Sequence, residues 1–157
     1  GLGKAAEMAL ANIEHENTVV RALRDRLEDG LLSAIPDTQA NGDPDHRLPN
    51  TTNICFKYIE GEAILFWLNQ HGICASSGSA CTSGSLEPSH VLRAMGLPYT
   101  ILHGSIRFSL SRYNTPDEVE QVLTVMPTVV ERLRAMSPFS NDEAGWLQER
   151  DTAAATA

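Results

Sequence analysis

Cys81 is the group in this sequence whose surroundings best suit it to react. It stands in the run Ser76-Ser77-Gly78-Ser79-Ala80-Cys81-Thr82-Ser83-Gly84-Ser85, which is almost wholly small side chains. Such a run offers nothing to a core, and Gly and Ser favour turns and open backbone, so it reads as a loop that presents the thiol. The thiolate is the nucleophile, and access decides whether it meets a partner. The plainer alternative is a Gly/Ser linker with a bystander cysteine. Arg107 is the second such residue. In Ser105-Ile106-Arg107-Phe108-Ser109-Leu110 the alternation is strict, sending Ile106, Phe108 and Leu110 to one face of a strand and Ser105, Arg107 and Ser109 to the other. A guanidinium between two serines has room around it, and its fork suits a carboxylate held through two hydrogen bonds. The alternative is an arginine on a solvated sheet face.

The remaining polar candidates are weaker. Cys55 and Cys74 lie in apolar surroundings, Ile54-Cys55-Phe56 and Ile73-Cys74-Ala75, where a cysteine is expected to be a small buried hydrophobe. Three cysteines with no CxxC pair suggest neither a disulfide framework nor a structural zinc site. His71, His90 and His103 are not tied to Cys81 by spacing, and His71 falls at a helix end, where an imidazole can meet the last carbonyls. Lys4 and Lys57 are the only lysines.

Positioning Cys81 and Arg107 falls to elements that the pattern makes legible. Ala5, Met8, Ala9, Ile13, Val20, Leu23, Leu27 and Leu31 recur at helical intervals, predicting an amphipathic helix from Lys4 that stops at Gly30, about 40 Å long. Two shorter helices broken near Asn17-Thr18 are the alternative. A loop-rich stretch follows, with one short edge strand before Asn41-Gly42. Thr52 to Ile59 reads as a strand, Glu62 to Gln70 as a short apolar helix, and Ile73 to Ser76 as a strand running into the Cys81 loop. Beyond the loop, Glu87-Pro88-Ser89 opens a helix that Gly96 closes. Thr115-Pro116-Asp117-Glu118 is a capping box with Pro at the first helical position, and Pro127 should kink the helix behind it. The tail from Pro138 is polar and then alanine-rich, expected to be disordered or reserved for a partner. Together these predict an α/β to α+β structure, a sheet of about three strands covered by helices.

The bulk properties narrow the field. With 157 residues, 42% hydrophobic and 20% charged, the chain suits one ordinary soluble domain. A formal net charge of -8 argues against nucleic acid or an anionic membrane as partner. No apolar run approaches the roughly 18 residues of a membrane span and no signal-peptide pattern opens the chain, so a cytoplasmic location is expected. The opening Gly1-Leu2-Gly3-Lys4 lacks a methionine and enters a helix almost at once, as though cut from something longer.

The segment Ser77-Gly78-Ser79-Ala80-Cys81-Thr82-Ser83-Gly84-Ser85-Leu86-Glu87-Pro88-Ser89-His90-Val91-Leu92-Arg93-Ala94-Met95-Gly96 closely resembles the cysteine desulfurases of the NifS/IscS family, pyridoxal-phosphate enzymes of the class V aminotransferase type. Gly104 to Thr115 resembles the same family in the right order and at the right distance, and the Ser-Leu-Glu-Pro exit looks most like the nitrogen-fixation branch. The resemblance implies the small C-terminal domain of a fold-type I enzyme, with residues 1–32 an interdomain helix, 33–137 the domain that carries the loop, and 138–157 a tail. It implies that Cys81 attacks the sulfur of L-cysteine and leaves as a persulfide with alanine as co-product, and that Arg107 binds the substrate carboxylate. An iron-sulfur scaffold protein would take the sulfur, with Cys81 a possible transient iron ligand, and the full-length enzyme would be a homodimer. The family's Schiff-base lysine matches neither Lys4 nor Lys57. The resemblance therefore places pyridoxal phosphate mainly in a domain upstream of Gly1, without which the chain should be inactive. A stand-alone sulfur-relay or cluster-binding module using Cys81 is the alternative.

Overall fold

The computed structural model describes residues 1–77, 89–97 and 102–137. A continuous helical rod opens it: helix α1 (Leu2–His15), a π-helical turn (Glu16–Val20) and helix α2 (Arg21–Ala34). The predicted alternative of a break near Asn17-Thr18 is replaced by this wider turn at the same place. Asn17 Nδ2 donates to Ile13 O and Thr18 Oγ1 to Glu14 O, both at 2.8 Å. Such back-bonds from polar side chains compete with the regular ladder and loosen it. Nor does the rod stop at Gly30. A Cβ there would sit 2.6 Å from Leu123 Cδ2, so this glycine lets another helix press close rather than ending its own.

Four strands, not about three, form the sheet: β1 (Thr38–Asn41), β2 (Thr51–Phe56), β3 (Ser76–Ser77) and β4 (Ser105–Ser109), in the order β1-β2-β4-β3. The additional member is the edge strand before Asn41-Gly42, which pairs fully with β2. Every pairing is antiparallel, which settles the class as α+β. Helices α3 (Gly61–Gln70), α4 (His90–Ala94) and α5 (Pro116–Met136) complete the described elements.

Strand alternation divides the sheet into two chemically different faces. Ile54 and Phe56 of β2, with Ile106 and Phe108 of β4, join Leu27 and Leu31 of α2, Ile64 and Leu68 of α3 and Met126 and Val130 of α5 in a single buried core. The opposite face is polar and carries Arg107. Helix α5 starts on the predicted capping box, Thr115 accepting from Glu118 N while Glu118 Oε2 accepts from Thr115 N, and runs on through Pro127. Within the described residues α4 begins at His90 with Ser89 as its N-cap; the expected start at Pro88 lies outside them.

Cys74 corrects an expectation. The strand predicted from Ile73 begins only at Ser76, so Cys74 sits on irregular chain and is exposed, while Cys55 is fully buried as expected. Apolar neighbours in sequence do not bury a residue that no strand turns inward.

Candidate functional site: the polar sheet face around Arg107

Arg107 lies in the middle of β4, half-buried, opposite Asn53 of β2 on one side and Ser76 of β3 on the other. Its Nε is buried and has no hydrogen-bond partner among the described residues, which also hold no carboxylate paired with it. A buried guanidinium N–H without an acceptor is unfavourable, so this arrangement favours an anion that can approach the face.

An amide network borders the arginine. Asn41 Nδ2 donates to Asn53 Oδ1 at 2.7 Å and to Ser105 Oγ at 3.1 Å, and Gln39 Nε2 donates to Asn41 Oδ1 at 3.2 Å. Cys55 sits in the same layer. Burial pushes its thiol up to about 11, against a hydrogen bond to Ser105 that pulls it down. A neutral, inaccessible thiol is inert, so Cys55 belongs to the support of this face and not to its chemistry. Sequence reasoning singled out Arg107 and its serines but passed over Asn41 and Asn53. The available signal was asparagine in strands, where it is disfavoured, at positions sharing the parity of the arginine's face.

A second cluster ties the loop before β2 to α2. Glu28 accepts from Arg47 Nη1 and Nη2 at 2.6 and 2.7 Å and also from the Thr52 hydroxyl. Burial alone would raise the Glu28 carboxyl, but the bonds from Arg47 and Thr52 and the positive charges of Arg47 and Arg24 hold it below its ordinary value. This cluster fixes the chain that enters β2.

The other predicted candidates fall as follows. Cys81, the expected nucleophile, lies outside the described residues, and with it any role as an iron ligand. His71 Nδ1 lies 2.8 Å from Trp67 O at the end of α3, the role expected of it. His103 Nδ1 is 3.3 Å from Glu60 Oε2, and His90 is exposed on α4. Cys74 opens onto a cleft of about 340 Å³ lined by Leu27, Phe108, Val119 and Val122, on the core side of the sheet and away from Arg107. Lys4 pairs with Glu7 on α1 at 2.9 Å, and Lys57 lies past the end of β2, four residues along from the position opposite Arg107. No lysine among the described residues therefore stands beside Arg107, and these residues alone do not fit pyridoxal phosphate bound as a Schiff base.

Among the described residues, a sheet with helices on one face and Arg107 bordered by amides and hydroxyls on the other defines an α+β domain. The chain belongs to the aminotransferase class-V family, whose model matches residues 1–122, and that family depends on pyridoxal phosphate. Among curated proteins it is 71% identical to "Cysteine desulfurase 2" of Trichormus variabilis, over 98% of this chain and 38% of that protein. It is 63% identical to "Cysteine desulfurase NifS" of Azotobacter vinelandii, over 88% of this chain and 35% of that protein. Among solved structures, the NifS-like protein from Rickettsia africae matches with a TM-score of 0.70 at 30% identity, over 82% of this chain and 33% of that one. The chain thus spans well under half the length of these relatives. Among the described residues no helix is long and apolar enough to cross a membrane.

Proposed function

We propose that this chain supplies the sulfur-accepting thiol and the carboxylate-binding arginine of a cysteine desulfurase, the remaining machinery, including the holder of pyridoxal phosphate, lying outside these 157 residues. The net transfer is balanced: L-cysteine and the Cys81 thiol give alanine and a Cys81 persulfide, with the thiol's proton replacing the sulfur on the substrate carbon. The cofactor supplies the electron sink that loosens the carbon–sulfur bond. Arg107 holds the substrate carboxylate, and Cys81 takes the sulfur and passes it to an outside acceptor. The single observation that carries this reading is the pairing of Ser76 with Arg107. It roots the segment leading to Cys81 against the arginine's own strand. Five residues of chain span at most about 18 Å, which bounds the distance between the Cα atoms of Ser76 and Cys81. The acceptor is an iron-sulfur scaffold protein, with Cys81 as a transient iron ligand during transfer, in a cytoplasmic homodimer serving nitrogen fixation.

The test is persulfide mapping. The protein expressed from its complete reading frame is exposed to L-cysteine with pyridoxal phosphate, alkylated, and its thiols are mapped by mass spectrometry. A persulfide on Cys81 alone, lost together with sulfide release in Cys81→Ala, is the expected result. A persulfide on Cys74 instead, or none with cofactor bound, refutes the assignment and leaves Cys81 as the thiol of a relay module.

A further inference from the structure

We propose that Asn53 is a second carboxylate-binding group at the Arg107 site, held by Asn41 so that only its N–H donors face the substrate. The proposal rests on the reading of Arg107 given above. Register places Asn53 directly across the ladder from Arg107, and side chains so paired stand about 5 Å apart at Cβ on one face of the sheet. What Asn53 can offer there is settled by its neighbour. Asn41 is buried, and every polar atom of its amide is engaged: both Nδ2 hydrogens donate, to Asn53 Oδ1 and Ser105 Oγ, and Oδ1 accepts from Gln39. The Ser105 hydroxyl is in turn bonded to the Cys55 thiol.

With its oxygen occupied by Asn41, Asn53 keeps two N–H groups, and among the described residues neither donates to anything. Arg107 is a donor at every nitrogen and leaves a buried one unused. Two donor groups abreast, with no acceptor between them, cannot satisfy each other. An anion with two oxygens satisfies both: one oxygen takes the guanidinium, the other the amide. The arginine supplies charge, and the asparagine, neutral and rigidly mounted, sets how the carboxylate is turned. A carboxylate at position 53 would do the opposite, occupying Arg107 itself.

Asn53→Ala, Asn53→Asp and Arg107→Lys are compared in the protein from its complete reading frame, with thermal melts to confirm folding. For each, kcat and KM for L-cysteine and the inhibition constants of L-alanine and cysteamine are measured; cysteamine lacks the carboxylate. Asn53→Ala is expected to raise KM and the alanine constant about tenfold, as for loss of one charge-assisted hydrogen bond, with kcat within twofold and the cysteamine constant unmoved. Asn53→Asp, nearly isosteric, is expected to be the more damaging. A KM raised by Arg107→Lys but unmoved by both Asn53 variants overturns the role of Asn53 alone. Indifference of KM to all three overturns the Arg107 reading with it. Equal weakening of alanine and cysteamine shows a general distortion and also overturns the proposal.

Discussion

Gly104 holds β4 against β2, and replacing it with alanine should unseat the strand that carries Arg107. Its carbonyl accepts from Phe56 N at 2.9 Å, and a Cβ built on it would lie 2.2 Å from Phe56 O, 3.0 Å from Ile59 O and 3.1 Å from Phe56 C. All three are backbone atoms, so no side chain can swing aside. Ordinary van der Waals contact begins at 3.4 Å, so the two segments must part by more than 1 Å. Overpacking of this kind costs about 1–3 kcal/mol, and losing the bond between Phe56 and Gly104 adds about 1 kcal/mol. The smaller entropy of an alanine chain when unfolded returns about 0.5 kcal/mol. The net expectation for Gly104→Ala is a loss of about 1.5–3.5 kcal/mol, or about 3–14 °C in Tm for a chain of this size. Urea unfolding followed by circular dichroism measures it directly. Gly3→Ala is the reference: nothing lies within 4 Å of a Cβ there, and in a helix alanine is neutral or stabilising by up to about 1 kcal/mol. If the two variants unfold within about 0.5 kcal/mol of each other, the close approach of Gly104 to β2 is wrong.

Two further outcomes follow from the charge cluster and the thiols. Glu28 has a depressed carboxyl in the fold, so its contribution is present above the ordinary carboxylate pKa and lost as pH falls through the folded value. Glu28→Gln should cost about 3 kcal/mol at pH 7, with the gap to wild type closing below about pH 4; a gap unchanged between pH 7 and pH 3 would sink the assignment. In a Cys81→Ser background, exposed Cys74 should react with a disulfide reagent at pH 8 while Cys55, buried with its thiol raised to about 11, waits for unfolding, at least about a hundredfold slower. Comparable rates for the two would refute the placement of Cys55.

What the sequence showed and what it hid divide along a physical line. Periodicity and capping are local, so the α5 capping box, the strict alternation of β4 and the apolar α3 were legible. The faces of Arg107 and Phe108 followed from alternation alone. Gly30 was misread because a glycine that ends a helix and one that admits a neighbouring helix look alike until Leu123 is in place. Cys74 was misread because burial depends on where a strand starts. The amides of Asn41 and Asn53 were missed because register is a tertiary fact: it brings Asn41 to Asn53 from 12 residues away and sets Asn53 opposite Arg107 on a strand much farther along the chain.

The π-helical turn at Glu16–Val20 lets the rod carry one residue more than a regular helix of the same length without changing how α1 is aimed. One residue removed there would restore the ordinary i→i−4 ladder, and α1, α2 and the sheet that α2 covers would keep their bearings. The same deletion inside α2 meets no wide turn to absorb it, and every side chain of α1 would swing by about 100° about the axis. The wide turn thus marks the place in the rod where a single-codon deletion leaves α1 in phase with the domain behind it.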